Sequence, residues 1–162
     1  MERQLTIEEK RIKTCLFTGH RILDGHFSIE KLREYIHFAI EKGAEVFYTG
    51  MAKGFDLYAG EEILKIKDKN PKIKLIACVP FYGQEKSFSQ NDKKRYADII
   101  KNADDVVCLA EVYYRGCMQA RNRFMAEHGD LMICYCKKST GGTAYTVQYF
   151  QKKYPEKEIL FL

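Results

Sequence analysis

Long apolar runs are missing from this chain. No stretch approaches the ~20 residues that cross a bilayer, and the opening MERQLTIEEKRIK is charged, without the apolar core of a secretory signal. A soluble, cytoplasmic protein is expected, so the six cysteines should sit in a reducing compartment. Cys15, Cys78, Cys108, Cys134 and Cys136 fall in strand-like runs, where cysteine behaves as a small hydrophobe. Cys134-Tyr135-Cys136 puts two thiols on one strand face, as half a zinc site would, but no second Cys/His pair at ligand spacing accompanies it. A core role is expected for these thiols, and no metal. G-x-G-x-x-G is absent, which removes the dinucleotide fingerprint, and no Gly-Lys-Ser/Thr is present, which argues against a P-loop nucleotidase. Repeats and low-complexity linkers are also lacking.

The remaining composition is that of a globular protein: 46% apolar and 30% charged over 162 residues. One domain over 1–162 is the simplest reading, with 1–12 as a polar N-terminal extension. A chain of this size buries roughly 70% of its unfolded surface and needs no disulfide or metal to hold a core. The net charge of +5 suits anionic ligands or nucleic acid and selects neither. Lys65, Lys67, Lys69, Lys72 and Lys74 form one local run, read as a solvated helix end and loop.

Apolar runs and helical patterns alternate along the chain. Strands are expected at Lys13–Thr18, Ala44–Thr49, Lys72–Pro80, Asp105–Ala110 and Asp130–Cys136, with Glu158–Leu162 as a candidate sixth. Helices are expected at Ser28–Gly43 (capped by Ser28, with Ile29, Leu32, Ile36 and Ile40 as its stripe), Asp56–Lys67, Asn91–Asn102, about Gly116–His128, and Gly141–Tyr154. Strands apolar on both faces, each followed by a helix, imply an α/β fold. Its sheet is mostly parallel, of five to six strands, covered by helices on both faces. In such sheets ligands bind beyond the carboxyl ends of the strands, where strand order reverses.

Three Gly-bearing segments stand at that edge. Thr18-Gly19-His20-Arg21 follows the first strand; Gly19 permits backbone approach and Arg21 can grip a phosphate in bidentate fashion. Gly50-Met51-Ala52-Lys53-Gly54-Phe55-Asp56 follows the second. There Asp56 reads first as a helix N-cap and more sharply as an acceptor for a ribose hydroxyl, roles that are compatible. Glu61 and Glu62, further along that helix, read as solvated surface. Thr140-Gly141-Gly142-Thr143 follows the fifth strand and exposes several N–H groups at a helix start, the best anion seat in the chain. Pro80-Phe81-Tyr82-Gly83-Gln84 and Glu111-Val112-Tyr113-Tyr114-Arg115-Gly116 are candidates to complete the pocket. A Tyr113 or Tyr114 ring would cover a base, although exposed tyrosines also serve contacts between subunits. Arg121 and Asn122 lie near the start of the next helix, where a surface charge is the default.

Taken in order, Thr18 to Arg21, Gly50 to Asp56, Pro80-Phe81 with Gln84, Arg121-Asn122 and Gly141-Gly142-Thr143 resemble the SLOG superfamily, and within it the YpsA/YoqJ-like branch of small bacterial and phage proteins. The resemblance spans nearly the whole chain. It implies a Rossmann-like three-layer fold that binds nucleotides or nucleotide-derived ligands, often as a sensor, with no cofactor required. Met118, Arg121 and Met125, with Gly142-Thr143, also resemble elements of the cytokinin-activating phosphoribohydrolases, but Ala144, Tyr145 and Thr146 stand where their acid should follow. An N-glycosidic hydrolase needs such a carboxylate. If a reaction occurs, Arg121, Asp56 and Glu111 are the catalytic candidates. Gly50 to Asp56 also resembles the Gly-x-Ala-x-Gly-x-Asp segment of DprA-like proteins, which implies single-stranded DNA as an alternative partner, ranked below a small nucleotide-like ligand. Self-association stays open.

Overall fold

The computed structural model describes residues 12–162; of the polar extension expected over 1–12, only Ile12 lies within them. Six strands alternate with five α-helices: β1 Thr14–Gly19, α1 Ile29–Glu41, β2 Val46–Thr49, α2 Phe55–Lys69, β3 Lys74–Val79, α3 Gln90–Asn102, β4 Asp105–Cys108, α4 Cys117–His128, β5 Leu131–Tyr135, α5 Gly142–Lys153 and β6 Glu158–Phe161. A short 3-10 turn, Gln84–Ser87, precedes α3. The strands form one sheet in the order β4-β3-β2-β1-β5-β6, every neighbouring pair parallel. The candidate sixth strand is real and pairs with β5, Leu131 opposite Glu158.

Side chains alternate across the sheet, as strand geometry requires. Cys15, Phe17, Phe47, Leu75, Ala77, Ile133 and Tyr135 face one layer, where Leu32 and Ile36 of α1, Phe55, Leu57 and Ile63 of α2, and Tyr96 and Ile99 of α3 pack. Leu16, Tyr48, Cys78, Met132 and Cys134 face the other, beneath Met125 and Ala126 of α4 and Val147 and Phe150 of α5. The result is an α/β three-layer, Rossmann-like sandwich. Burial pushes the Cys78 thiol up to about 12 and raises those of Cys15 and Cys134 as well, so all three stay neutral in the core. Cys136 departs from expectation: it lies one residue beyond β5, half-buried, its Sγ donating to the Lys138 carbonyl at 3.3 Å.

Two other expectations fail at α2. Its N-cap is Gly54, at φ +80, not Asp56, which is the second helical residue. Glu62 is not solvated surface but buried, accepting from Arg33 Nε at 2.9 Å and Lys65 Nζ at 3.1 Å. Glu61 likewise accepts from Arg95 Nε at 3.1 Å. Among the described residues no helix is long and apolar enough to cross a membrane.

Candidate functional site at the strand switch

After β1 the chain turns to α1 on one face of the sheet; after β5 it turns to α5 on the other. Adjacent parallel strands whose connections part in this way leave a crevice between them. Here it is a cleft of about 270 Å³, lined by Thr18, Gly19, His20, Arg21, Ala52, Asp56, Met118, Arg121, Asn122, Lys138, Thr140, Gly141, Gly142 and Thr143. All three expected turns therefore contribute to one edge. A bridge ties two of them: the Lys137 N–H donates to His20 Nε2 at 2.7 Å. Burial, then the Lys138 charge, hold the His20 pKa below its ordinary value, which suits a neutral ring accepting at Nε2.

The glycines in these turns serve different ends. A Cβ on Gly19 would stand 2.4 Å from the Phe55 ring, and one on Gly54 would stand 2.3 Å from the Arg21 carbonyl oxygen. The turns after β1 and β2 thus interlock, and Phe55 N–H donates to the His20 carbonyl at 3.1 Å. Gly19 lines the cleft, but its missing side chain is explained by Phe55, not by close approach of a ligand. Gly50 leaves room for the Arg121 guanidinium, 3.0 Å from the position a Cβ would take. At Gly141 and Gly142 a Cβ would meet nothing within 4 Å. Gly141 caps α5 at φ 97 and ψ −179, with no side-chain capping bond, so no cap side chain takes up the first N–H groups of that helix.

Arg121 is not the surface charge expected of a helical arginine; it is 4% exposed. Its Nη1 donates to the Gly50 carbonyl and to Gln84 Oε1 at 3.3 Å, and its Nε to Asn122 Oδ1 at 2.9 Å. Gln84 in turn donates to the Met51 carbonyl at 3.1 Å. These bonds clamp a turn in which buried Met51 takes φ +61, a conformation that non-glycine residues rarely hold without such support. Arg121 and Gln84 are therefore braces for the turn after β2, with Arg121 also lending its charge to the cleft wall.

Asp56 closes this turn, and its N-cap role is replaced by an upstream contact: Oδ2 accepts from the Ala52 N–H at 3.2 Å. Oδ1 has no hydrogen-bond partner, the one buried side-chain polar atom so placed among the described residues. Burial pushes the Asp56 pKa up to about 6; the Arg121 charge, the Ala52 N–H and the Arg21 charge oppose that rise without cancelling it. Arg121 acts on the carboxylate through space, with no direct hydrogen bond between them. The cleft is thus lined by Asp56, whose buried Oδ1 is unsatisfied, by three cationic side chains (Arg21, Arg121 and Lys138) and by an uncapped helix N-terminus.

Several expected residues lie elsewhere. Gly50, Met51 and Gly54 stand behind the cleft wall as parts of the packed turn. Pro80 is buried, half-buried Phe81 meets the Tyr113 ring edge-on at 5.5 Å between centroids, and neither they nor Tyr113 line the cleft. Exposed Glu111 does not reach it either, which removes it as a substitute for the missing acid. Sequence reasoning passed over Lys138, the second of two adjacent lysines before the Gly-Gly pair, and a second hollow beyond that pair.

The fold matches known proteins. The family model YpsA, described as the YspA SLOG family, matches residues 25–161. The chain belongs to this SLOG family. Curated relatives include UPF0398 proteins of Halalkalibacterium halodurans (30% identical over 103 residues, 62% of this chain and 54% of that one) and Bacillus velezensis (29% over 103 residues, 62% and 57%). The chain spans little more than half the length of these relatives. Among solved structures, DNA processing protein A of Streptococcus pneumoniae is similar at a TM-score of 0.65 and 20% identity, over 96% of this chain and 51% of that one. DNA processing protein A of Helicobacter pylori, described for its single-stranded DNA binding mode, is similar at 0.63 and 18%, over 94% and 66%. At these identities the likeness establishes the shared fold.

Proposed function

We propose that this SLOG protein binds a nucleotide or nucleotide-derived small ligand in the switch-point cleft. Phosphate sits on the open N–H groups of Gly142 and Thr143 at the start of α5, within the field of Arg21 and Lys138. The sugar donates a hydroxyl to Asp56. The observation that carries this reading is Asp56 Oδ1. A buried acceptor left unpaired costs about 1–3 kcal/mol, and its residue lines the cleft into which the helix end opens. A hydroxyl donor removes that cost, and a phosphate explains why the basic groups gather there.

Calorimetry with ribonucleoside monophosphates, diphosphates and inorganic phosphate tests it. Binding should be present in the wild type and about tenfold weaker or more in Asp56→Asn for ribonucleotides, the worth of one charge-assisted hydrogen bond. Inorganic phosphate should bind both alike. Silence across the panel from folded protein overturns the reading. A second reading, single-stranded DNA, is supported by the likeness to the H. pylori protein and by the basic cleft; gel shifts that weaken steeply with salt would favour it.

A further inference from the structure

Beyond the Gly141-Gly142 pair lies a second hollow, about 620 Å³, between the start of α4 and the start of α5. The two glycines wall both hollows, so the cleft and this groove meet across a saddle that carries no side chain. The groove presents exposed Tyr114 and Tyr145 rings and the guanidinium groups of Arg115 and Arg123, and among the described residues no acidic one lines it. Arg123 Nη1 donates to the Tyr145 hydroxyl at 3.2 Å, which holds that ring in place. On the far wall α4 is capped by Gly116 at φ 96 with no side-chain bond, the Cys117 N–H donates to the Tyr114 carbonyl at 3.1 Å, and a Cβ on Gly116 would meet nothing within 4 Å.

Resting on the reading above, we infer that the ligand has two nucleotide units joined through phosphate. One unit occupies the cleft against Asp56, the linkage crosses the Gly141-Gly142 saddle, and the second base stacks on Tyr114 or Tyr145 with Arg115 and Arg123 beside it. The two hollows together fall within the roughly 300–1,000 Å³ usual for ligand sites, whereas the cleft by itself lies just below it. Aromatic rings beside guanidinium groups suit a base and its phosphate irrespective of base identity. The bare saddle is what a linkage needs, since any side chain on it would separate the two halves.

The test compares a nucleoside monophosphate with two-unit probes: the pyrophosphate-linked dinucleotide NAD, and short single-stranded oligonucleotides joined by phosphodiesters. Wild-type protein should bind one of the two-unit classes at least about tenfold tighter than the monophosphate, in line with one added stacking contact. Tyr114→Ser with Tyr145→Ser should abolish that gain and leave monophosphate affinity within about twofold. Both residues are exposed, and thermal unfolding checks that the variant is folded. A preference for NAD identifies a pyrophosphate linkage; affinity that grows with oligonucleotide length identifies a strand. If two-unit probes bind no better than the monophosphate, or the tyrosine variant weakens both alike, the inference falls while the cleft reading stands. If no probe binds, both fall.

Discussion

The turns after β1 and β2 and the turn before α5 share a spelling rich in glycine and differ in what surrounds it. In the first pair the space a side chain would take is filled by the protein: the Phe55 ring at Gly19, the Arg21 carbonyl at Gly54, the Arg121 guanidinium at Gly50. In the last, nothing stands within 4 Å of either glycine. Glycine in the packed region is a condition of folding, because two loops and a buried arginine interlock through it. In the open region no neighbour fills the space: Gly141 is needed for its left-handed φ of 97, and at Gly142 the proposed ligand would give the missing side chain a use. The division also explains the site's shape: a rigid wall made by the packed turns faces a helix end left bare.

The largest effect should come from filling the packed side. Gly54→Ala adds a methyl group 2.3 Å from a backbone oxygen at a φ of +80. Overpacking and left-handed strain together should cost about 3 kcal/mol or more, read as a lowered denaturant midpoint. A near-neutral result would break the contrast, since it would mean that the two loops part freely.

Asp56 belongs to the packed turn by position and to the open side by chemistry, so its titration sharpens the comparison. Its folded pKa of about 6 lies above the ordinary value of 3.8. The folded protein therefore holds a proton that the unfolded chain has lost between about pH 4 and 6. Stability from this group is present below that window and is lost as pH rises through it. Asp56→Asn, which mimics the protonated acid, should match wild type near pH 4 and exceed it by about 2–3 kcal/mol at pH 7. Denaturation at both pH values measures this. Together with weakened ribonucleotide binding, a stability gain marks a residue kept for its ligand. Should the variant instead be less stable at pH 7, the Arg121 charge needs Asp56 more than burial opposes it, and the carboxylate belongs wholly to the packed wall.

Much of this was legible in the chain itself. CLF at 15–17 and LIAC at 75–78 are apolar on successive residues, the mark of strands covered on both faces, and the helices between them follow from period and capping. Placing turns at the carboxyl edge then follows from parallel connectivity. The partners of charged side chains were not legible. Arg121 is spelled like any helical arginine, and its acceptors come from the turn after β2, the segment after β3 and the next residue along α4, a meeting that only the sheet order creates. Glu62 is hidden in the same way by Arg33 of α1. Asp56 looked like a cap because carboxylates cap helices often; Gly54, at φ +80, takes the position first.

A smaller effect is expected at Gly50, where the obstacle is a side chain rather than backbone. Gly50→Ala brings a methyl group to 3.0 Å from the Arg121 guanidinium, which must give by a few tenths of an ångström. About 1 kcal/mol should be lost. A loss as large as that at Gly54 would show that the clamp on Met51 tolerates no movement, and would extend the rigid wall to Arg121 itself.

The smallest effect on stability, and the one that decides what the open side is for, is at Gly142. It is the first residue of α5, a Cβ there would meet nothing within 4 Å, and its φ lies outside the left-handed range that holds its neighbour Gly141. Gly142→Ala should therefore leave stability within about 1 kcal/mol of wild type, on the favourable side, because alanine has less chain entropy to lose. The same methyl group stands on the saddle common to the cleft and the groove, where a phosphate must come close to the helix N–H groups. Affinity for a nucleoside monophosphate, measured by calorimetry, should drop about tenfold or more. A protein as stable as wild type that no longer binds separates folding from function at one methyl group. One that binds undiminished would mean that phosphate does not rest on α5, and the bare glycines would lose the use assigned to them.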